Sequence, residues 1–562
     1  MNFVQTTDRR TLVRLTGAVY TPPGVAQALV EFVASVLPDE SPEILEPSVG
    51  DGAFLSALAD KLPQASLTAL DIDEHVIEQL QAREEVGFLK SDYFIGDFIN
   101  YAAKWILGRK RFGLIIGNPP FIRKHNFSEE FKSALDELAT AINYPRADLK
   151  NSWVAFLLAS TVLLRDHGMV AFILPYEIMT VVYGQSALRY LLKIYERIDL
   201  FVSDEKAFPE IDQDAIIFVA RKRSDAPRGL FVQRVKSMDS LGNHAEVKID
   251  ITLEENLALE LSSFLISSDA LSSARRLRSE LPTIGDYCTS APGVVTAANE
   301  YFIITEAKAI ELGLMDHTLP VLKKGSLSTR QPIFRTKDFD AISEREPCRL
   351  VRITGPIEAL PPELKRYVEV GEQAGYHLRY KCRNREHWYE VPLVEKRASF
   401  IFKRSHEFPR LCLNEAGVHI TDTAYGLNVR EGYSDRGICF SFYNSLTLLF
   451  AETDGRFYGG GVLELSPKEF RRLPLVYHEP SEDEFKEFLA VHEEAQGNIV
   501  DILDFGDQWL AKKVGLSQNE LDVLRSAWNS VRAHRLRHGR HARIGSANST
   551  YLGASVPVAM DA

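Results

Sequence analysis

The amino-acid sequence predicts a doubly wound α/β domain with a mostly parallel sheet, followed by a second domain of the α+β class. Over residues 1–222, short apolar runs alternate with segments of helical periodicity. The first such run ends in a Gly-x-Gly turn that opens a helix, which is typical of βαβ units. The alternation is then lost. We therefore expect domains at residues 1–222 and 223–530, the second with a helical segment, and a basic, polar, disordered tail at 531–562.

The composition is typical of a soluble globular protein, with 45% hydrophobic and 25% charged residues in a chain of 562. The longest mainly apolar run, Trp153 to Leu164, is too short to span a bilayer, and the N-terminus lacks a signal-peptide pattern. The formal net charge of −12 neither indicates nor excludes a DNA-binding protein, because phosphate binding depends on the local field. We expect a cytoplasmic protein that does not contact a membrane.

The cysteines argue against a metal site. They lie far apart without a Cys-x-x-Cys pair, which indicates a reducing compartment and no zinc site; they are Cys288, Cys348, Cys382, Cys412 and Cys439.

In chain order, the first motif is Tyr20-Thr21-Pro22. The prolines that follow Thr21 suit the first turn of a helix, and apolar residues at helical spacing between residues 25 and 36 predict that helix. A short strand at 44–46, ending at Glu46, then runs into Gly50 and Gly52. The backbone N–H groups of such a turn, at the N-terminus of a helix, can approach an anionic ligand.

Two acidic motifs follow at predicted strand ends. Asp71 lies 21 residues after Gly50, where a carboxylate can accept hydrogen bonds from ribose hydroxyls. In Gly96-Asp97-Phe98, a carboxylate and a ring can bind the edge and the face of an adenine, and Asp92 is the competing candidate for the carboxylate. Any one of these acids alone is more often a solvated loop residue. Their order along successive strands favours a nucleotide-like ligand.

A fourth buried strand, residues 114–116, ends in Asn118-Pro119-Pro120-Phe121. Neither proline can donate to a sheet, and each restricts the residue before it to extended geometry, so this corner is stiff. It lies at the carboxyl end of a strand, where open α/β sheets bind their ligands. Taken alone, Asn-Pro-Pro is as often an ordinary turn as a functional site.

This corner offers the groups needed to methylate an exocyclic amine on an aromatic ring, such as adenine N6. The lone pair of such a nitrogen is delocalised into the ring, which makes it a poor nucleophile. The side-chain oxygen of Asn118 and the carbonyl of Pro119 can accept its two hydrogens, favour a pyramidal nitrogen and return the lone pair. Phe121 can stack on the base.

The remaining strands of the first domain are predicted at 169–175, 198–202 and 215–220, and the last two are expected to form an antiparallel hairpin on the parallel sheet. The segment Ala207-Phe208-Pro209 lies between the two strands of this hairpin.

Over residues 14–222, the order of these motifs resembles the gamma-class, TaqI-like DNA adenine-N6 methyltransferases of restriction–modification systems. The resemblance implies a class I S-adenosyl-L-methionine-dependent fold and site-specific methylation of adenine N6 in duplex DNA after base flipping. It implies that the cofactor is held by Tyr20, Thr21, Pro22, Glu46, Gly50, Gly52, Asp71, Ile72, Asp97 and Phe98. It also implies that the target base is held by Asn118, Pro119, Pro120, Phe121 and Phe208. Phe121 stands where tyrosine is common in that family.

In the second domain, residues 291–302 resemble the opening of target-recognition domains, and residues 376–389 mix basic with aromatic side chains. That mixture suits phosphate neutralisation together with contacts to groove edges or unstacked bases. The alternative is a solvated face with charge pairs. The predicted DNA-binding residues are Arg379, Lys381, Arg383, Arg385, Trp388, Lys403 and Arg404.

Two other functions remain open from the sequence: an RNA adenine-N6 or other amino-group methyltransferase, and a non-catalytic nucleic-acid-binding protein with a degenerate cofactor fold.

We expect a monomer that acts on double-stranded DNA, and the sequence leaves open whether a separate cognate restriction endonuclease exists. We do not expect a fused nuclease, because the motifs begin near residue 17 and no nuclease signature follows them.

Overall fold

The computed structural model describes residues 19–538 except 40, 83–89, 109–110, 209–213, 243–244, 252–256, 329 and 459. Pro209 and most of the predicted tail, residues 539–562, lie outside the described residues. Within the described part of the chain, no helix is both long and apolar enough to cross a membrane. The same residues contain no cluster of three or more His, Cys, Asp or Glu side chains that could hold a metal ion.

The chain divides into two compact units. The described residues of the first unit lie within 19–265, 458–461 and 533–538, and those of the second unit within 266–457 and 462–532. The division falls at residue 265 and not at 222, because two further strands pair onto the edge of the first unit's sheet. Residues 531–536, predicted to belong to the tail, complete the last helix of the chain.

The first unit is built on a nine-stranded sheet. Its helices are α1 (Pro23–Val36), α2 (Ala53–Lys61), α3 (Glu74–Gln81), α4 (Phe98–Leu107), α5 (Glu129–Ala141), α6 (Ser152–Leu163), α7 (Glu177–Thr180), α8 (Val182–Leu191) and α9 (Leu257–Glu260). Its strands are β1 (Glu43–Glu46), β2 (Ser66–Asp71), β3 (Lys90–Ile95), β4 (Phe112–Gly117), β5 (Leu164–Pro175), β6 (Arg197–Ser203), β7 (Ala215–Arg221), β8 (Gly229–Val235) and β9 (Glu246–Ile249).

The strand order is β3-β2-β1-β4-β5-β7-β6-β8-β9. Strands β1 to β5 pair in parallel, and β7 runs antiparallel to both β5 and β6, which confirms the predicted parallel sheet with a reversed hairpin. Every residue of β4 is buried, as expected of a central strand covered on both faces.

Alternate residues of the central strands pack against different helices. Ile44, Leu114 and Ile116 belong to the apolar cluster that also contains the inner faces of α1 and α2. On the other face, α4 and α6 are in contact, and the rings of Phe98 and Phe156 lie 5.0 Å apart. The doubly wound architecture follows from this alternation, because successive side chains of a strand point to opposite faces.

The second unit has the predicted α+β character, with short strands in three sheets. Their orders are β10-β19-β15-β17-β13, β11-β14-β12-β18 and β16-β21-β20. The strands are β10 (Cys288–Pro292), β11 (Ile303–Ile304), β12 (Thr318–Leu322), β13 (Ile333–Phe334), β14 (Arg349–Val351), β15 (Ser399–Phe402), β16 (Arg404–Ser405), β17 (Leu411–Asn414), β18 (His419–Ile420), β19 (Ala424–Val429), β20 (Arg456–Tyr458) and β21 (Val462–Glu464).

The helices of the second unit connect and cover these sheets. They are α10 (Ser268–Glu280), α11 (Ile284–Tyr287), α12 (Asn299–Phe302), α13 (Glu306–Glu311), α14 (Thr336–Ser343), α15 (Pro362–Gln373), α16 (Tyr380–Arg383), α17 (Asp435–Phe442), α18 (Ser445–Asp454), α19 (Pro467–Arg471), α20 (Glu482–Ala495), α21 (Ile499–Val514) and α22 (Gln518–Leu536). The last residues of β20 and of α22 group with the first unit.

Candidate active site

The four motifs predicted at strand ends meet at one edge of the sheet of the first unit. Strands β1 to β4 are parallel, so their carboxyl ends lie at the same edge. The backbone N–H of Gly50 donates to Oδ2 of Asp71 at 2.9 Å, which joins the turn after β1 to the end of β2. The hydroxyl of Ser48 donates to the backbone carbonyl of Asn118 at 3.2 Å, which joins the same turn to the end of β4.

The side chain of Asn118 is held in one orientation by the N-terminal motif. Its Nδ2 donates to the backbone carbonyl of Val19 at 2.9 Å and to Oγ1 of Thr21 at 3.2 Å. A carboxamide has two N–H donors and one oxygen acceptor, so these two bonds use its donors and leave the oxygen as an acceptor. Among the described residues, no group donates to this Oδ1.

The two prolines after Asn118 differ in how their carbonyls are used. The hydroxyl of Ser152 donates to the carbonyl of Pro120. No N–H or hydroxyl among the described residues donates to the carbonyl of Pro119, which therefore remains available as a second acceptor beside Asn118. Phe121 follows with a partly exposed ring.

Glu46, the last residue of β1, is 1% exposed, and its Oε2 has no hydrogen-bond partner among the described residues. Burial raises the pKa of this carboxyl well above its usual value, and repulsion by Asp51 and Asp71 adds to the effect. A buried carboxyl oxygen without a donor is costly unless a ligand supplies one. Glu46 therefore fits a cationic, hydrogen-bond-donating group such as the amine of S-adenosylmethionine.

The Gly-x-Gly turn adopts backbone conformations that favour glycine. Gly50 has φ +51° and Gly52, which precedes α2, has φ +80°. The aromatic ring of Tyr20 lies beside Gly50, 3.7 Å from the position that a Cβ would occupy. Asp71 supports the turn with Oδ2 and accepts from the backbone N–H of Asp73 with Oδ1 at 3.0 Å.

Asp97, and not Asp92, lies at the carboxyl edge of β3. Oδ1 of Asp97 caps α4 by accepting from the backbone N–H groups of Ile99 at 2.8 Å and Asn100 at 3.1 Å. Burial raises the pKa of Asp97, and these two bonds oppose the rise. Asp92 lies inside β3 and pairs with Lys90 at 3.0 Å.

Two apolar residues predicted to contact the cofactor have opposite exposures. Phe98 is 1% exposed and its ring packs in the core against Phe156, because the first residue of α4 faces the layer between α4 and α6. Ile72, directly after β2, is 64% exposed. At this edge of the sheet Ile72 presents an exposed apolar side chain, and the contact of Phe98 with the cofactor remains a prediction.

Phe208 is 6% exposed and belongs to the apolar cluster that packs α1 and α2 on the sheet. The structure therefore places its ring within the core and not on the surface. Its predicted contact with a target base remains a prediction.

Sequence reasoning missed Ser152 as a member of this site. The sequence shows only a serine at the first residue of an apolar helix, and a serine at that place is typical of ordinary helix capping. Nothing in the sequence showed that this hydroxyl contacts the corner 30 residues earlier.

In the second unit, two of the predicted DNA-binding residues are engaged inside the fold. Arg385 donates to the backbone carbonyls of Val295 and Thr296 at 3.0 and 2.9 Å. The indole N–H of Trp388 donates to Glu372 at 3.0 Å, and its ring lies 5.5 Å from that of Tyr301. These contacts hold the segment in place, and both side chains are partly buried.

The other predicted DNA-binding residues are more exposed, although several are paired. Arg379 pairs with Glu300 at 2.5 Å, and both Lys403 and Arg404 pair with Glu464. Lys381 and Arg383 are exposed on α16, where the guanidinium of Arg383 lies 5.4 Å from the ring centroid of an exposed tyrosine, Tyr380.

The sheet order, the glycine turn and the strand-end acids define a class I S-adenosylmethionine-dependent methyltransferase fold. Comparison with protein families narrows this class. Residues 49–208 match the model of the Eco57I restriction-modification methylases, and residues 260–511 match that of the C-terminal domain of the type II methyltransferase M.Eco57I. The chain belongs to this family of restriction–modification DNA methyltransferases.

Individual relatives agree with this assignment. The type II methyltransferase M.AccI of Acinetobacter calcoaceticus is 22% identical, over 81% of this chain and 84% of its own length. M.XamI of Xanthomonas campestris pv. amaranthicola is 24% identical, over the same shares of 81% and 84%. The type IIL restriction-modification enzyme MmeI, solved in complex with DNA, shares the fold with a TM-score of 0.56 and 12% identity, over 97% of this chain and 80% of MmeI.

Proposed function

We propose that this chain is the modification enzyme of a restriction–modification system and transfers a methyl group from S-adenosylmethionine to adenine N6 at a specific site in duplex DNA. The observation that carries this proposal is the orientation of Asn118. Its amide donors are bound to Val19 and Thr21, and its oxygen remains as an acceptor beside the glycine turn.

The orientation of Asn118 matters because the target nitrogen has two hydrogens and a delocalised lone pair. Oδ1 of Asn118 accepts one hydrogen and the carbonyl of Pro119 accepts the other, which draws the nitrogen out of conjugation. Both acceptors are fixed before the base arrives, so little reorganisation is needed at the moment of reaction. A strongly basic side chain is not needed, because the amine product readily loses a proton to water.

The cofactor residues form a set that fits S-adenosylmethionine. When bound, that cofactor supplies an electrophilic methyl group on a sulfonium sulfur, which keeps the bonding pair as the methyl group leaves. Glu46 would hold the amine of its methionine moiety, Asp71 and Asp97 would bind its ribose and adenine, and Ile72 would cover the adenine ring. Thr21 and Pro22, which precede α1, would lie along its methionine moiety.

The target adenine must leave the duplex, because N6 is engaged in base pairing. Phe121 then stacks on the flipped base, and Phe208 supports the pocket from the core. Lys381 and Arg383 are the residues best placed to neutralise phosphates. The other basic side chains can bind phosphates when a phosphate replaces the carboxylate with which each is paired; they are Arg379, Lys403 and Arg404.

Sequencing modified bases in DNA from cells that express the chain tests the proposal. We expect N6-methyladenine at one short sequence, and its loss with Asn118→Ala. Methylated cytosine, or adenine methylation that Asn118→Ala leaves intact, would overturn it. Assays of the purified enzyme with labelled cofactor, and with DNA, RNA or protein as the substrate, distinguish this function from the methylation of RNA adenine or of another amino group.

A further inference from the structure

The corner that carries Asn118 is supported by a second segment, residues 150–152 at the start of α6. The backbone N–H of Lys124 donates to the carbonyl of Lys150 at 2.9 Å, and Arg123 and Asn151 form an isolated antiparallel bridge. The backbone N–H of Ser152 donates to the carbonyl of Ile122 at 2.9 Å. The catalytic corner therefore continues into a short two-stranded contact with the start of α6.

The side chain of Ser152 makes two further bonds to this corner. Its hydroxyl donates to the carbonyl of Pro120, and it accepts from the backbone N–H of Ile122 at 2.8 Å. Ser152 is fully buried, so its hydroxyl is shielded from water on its own side of both bonds. One hydroxyl thus fixes the peptide groups on both sides of Phe121.

These bonds have a consequence for the two acceptors of the target amine. With the carbonyl of Pro120 directed towards Ser152, the peptide plane between Pro120 and Phe121 is fixed. Because each proline already restricts the residue before it, the carbonyl of Pro119 is left with one orientation. We infer that Ser152 is a positioning residue for methyl transfer, which holds Pro119 and Phe121 in register with Asn118. The inference rests on the proposed function for its catalytic part.

Helix α6 also supplies a matched control. Ser160 is as fully buried as Ser152, but its hydroxyl has no hydrogen-bond partner among the described residues. Ser152→Ala and Ser160→Ala therefore remove the same atom from the same helix at the same burial. Only the first substitution removes bonds to the catalytic corner.

Hydrogen exchange of the intact protein without DNA tests the structural part of the inference. We expect the backbone N–H of Ile122 to exchange at least tenfold faster in Ser152→Ala and at the wild-type rate in Ser160→Ala, since only the first loses the acceptor of this N–H. Equal exchange in the two variants would overturn the inference, whatever the substrate of the enzyme.

Steady-state and single-turnover methylation test the catalytic part. We expect Ser152→Ala to lower kcat between ten- and a hundredfold, about the cost of a 1 Å misplacement, with the Kd for S-adenosylmethionine close to that of Ser160→Ala. Its Tm should be lower than that of Ser160→Ala, because the carbonyl of Pro120 and the backbone N–H of Ile122 lose their partner. A kcat equal to that of Ser160→Ala would overturn the positioning role. A wild-type enzyme that methylates no adenine would instead refute the proposed function, and the exchange result would still stand.

Discussion

The side-chain amide of Asn118 donates a hydrogen bond to the backbone carbonyl of Val19, 99 residues earlier in the chain, at 2.9 Å. This bond orients the Asn118 amide through the segment that leads into α1. The N-terminal Tyr20-Thr21-Pro22 motif therefore makes two contacts. Tyr20 lies beside the glycine turn, and Thr21 helps to leave the side-chain oxygen of Asn118 as the acceptor, which is the atom that the proposed function assigns to the target amine.

Asn118→Ala removes the fixed acceptor, so the target nitrogen keeps its lone pair in the ring. We expect kcat to fall by at least about 10²-fold, as for other lost preorganised hydrogen-bonding groups, with the Kd for S-adenosylmethionine changed less than threefold. Single-turnover methylation and calorimetry measure the two effects. Asn126→Ala, at an exposed position of the same loop, is the control and should behave as wild type. Near-normal turnover of Asn118→Ala would rule out the mechanism.

Glu46 should make cofactor binding dependent on pH. Burial raises the pKa of its carboxyl, and an amine ligand requires the ionised form, so the affinity for S-adenosylmethionine should fall as pH decreases through that raised pKa. Glu46→Gln should bind the cofactor more weakly at pH 8 and lose this component of the pH dependence. Calorimetry between pH 5 and 8 is the measurement, and Glu130→Gln at an exposed position of α5 is the control.

The raised pKa of Glu46 also predicts that the stability of the folded chain depends on pH. The folded chain holds the proton of Glu46 more tightly than the unfolded chain, so stability falls as pH rises from about the usual value of 4.5 through the raised pKa. In the absence of cofactor, Glu46→Gln should therefore have a higher Tm than the wild type at pH 8, and the difference should shrink towards pH 4.5. A difference in Tm that did not change with pH would contradict the raised pKa.

Much of this site could be predicted from the sequence because its motifs are local. Gly50, Asp71, Asp97 and Asn118 each lie at or just after the end of a strand of the same parallel sheet, and parallel strands bring their carboxyl ends together. The contacts that complete the site are not local. The bonds from Asn118 to Val19 and from Ser152 to Pro120 depend on how loops return to the sheet, which periodicity does not encode.

The second unit was harder to predict for a related reason. A run of basic and aromatic residues does not reveal which side chains face inward. Arg385 and Trp388 belong to a segment with the composition of a DNA-binding surface, yet they bond to the backbone carbonyls of residues 295–296 and to the Glu372 carboxylate of the same unit. Likewise, the motif that contains Phe98 does not reveal that the first turn of α4 directs this ring into the core, and its contact with the cofactor stays a prediction.

Asp97 and Asp92 can be separated by paired asparagine substitutions. Asp97→Asn keeps an N-cap for α4, because asparagine caps as well as aspartate, but removes the negative charge that we propose for the contact with the cofactor. We expect the Kd for S-adenosylmethionine to rise about tenfold, in keeping with the loss of a charged hydrogen bond. Asp92→Asn, which breaks only the pair with Lys90, should leave the Kd unchanged. The reverse result would assign the contact to Asp92.

We expect the side chain of Arg383 to contact a phosphate of the bound DNA. Its side chain is exposed on α16 beside the ring of Tyr380, which is 71% exposed, so a phosphate can approach without breaking an internal ion pair. Arg383→Ala should weaken binding about equally for all DNA sequences and should lower the slope of log Kd against log salt concentration by about 1. Lys308→Ala is the control, because that exposed lysine pairs with Glu311 on α13. Fluorescence anisotropy with a labelled duplex at several salt concentrations gives both slopes. An unchanged slope for Arg383→Ala would place the phosphate contacts on other residues of the second unit.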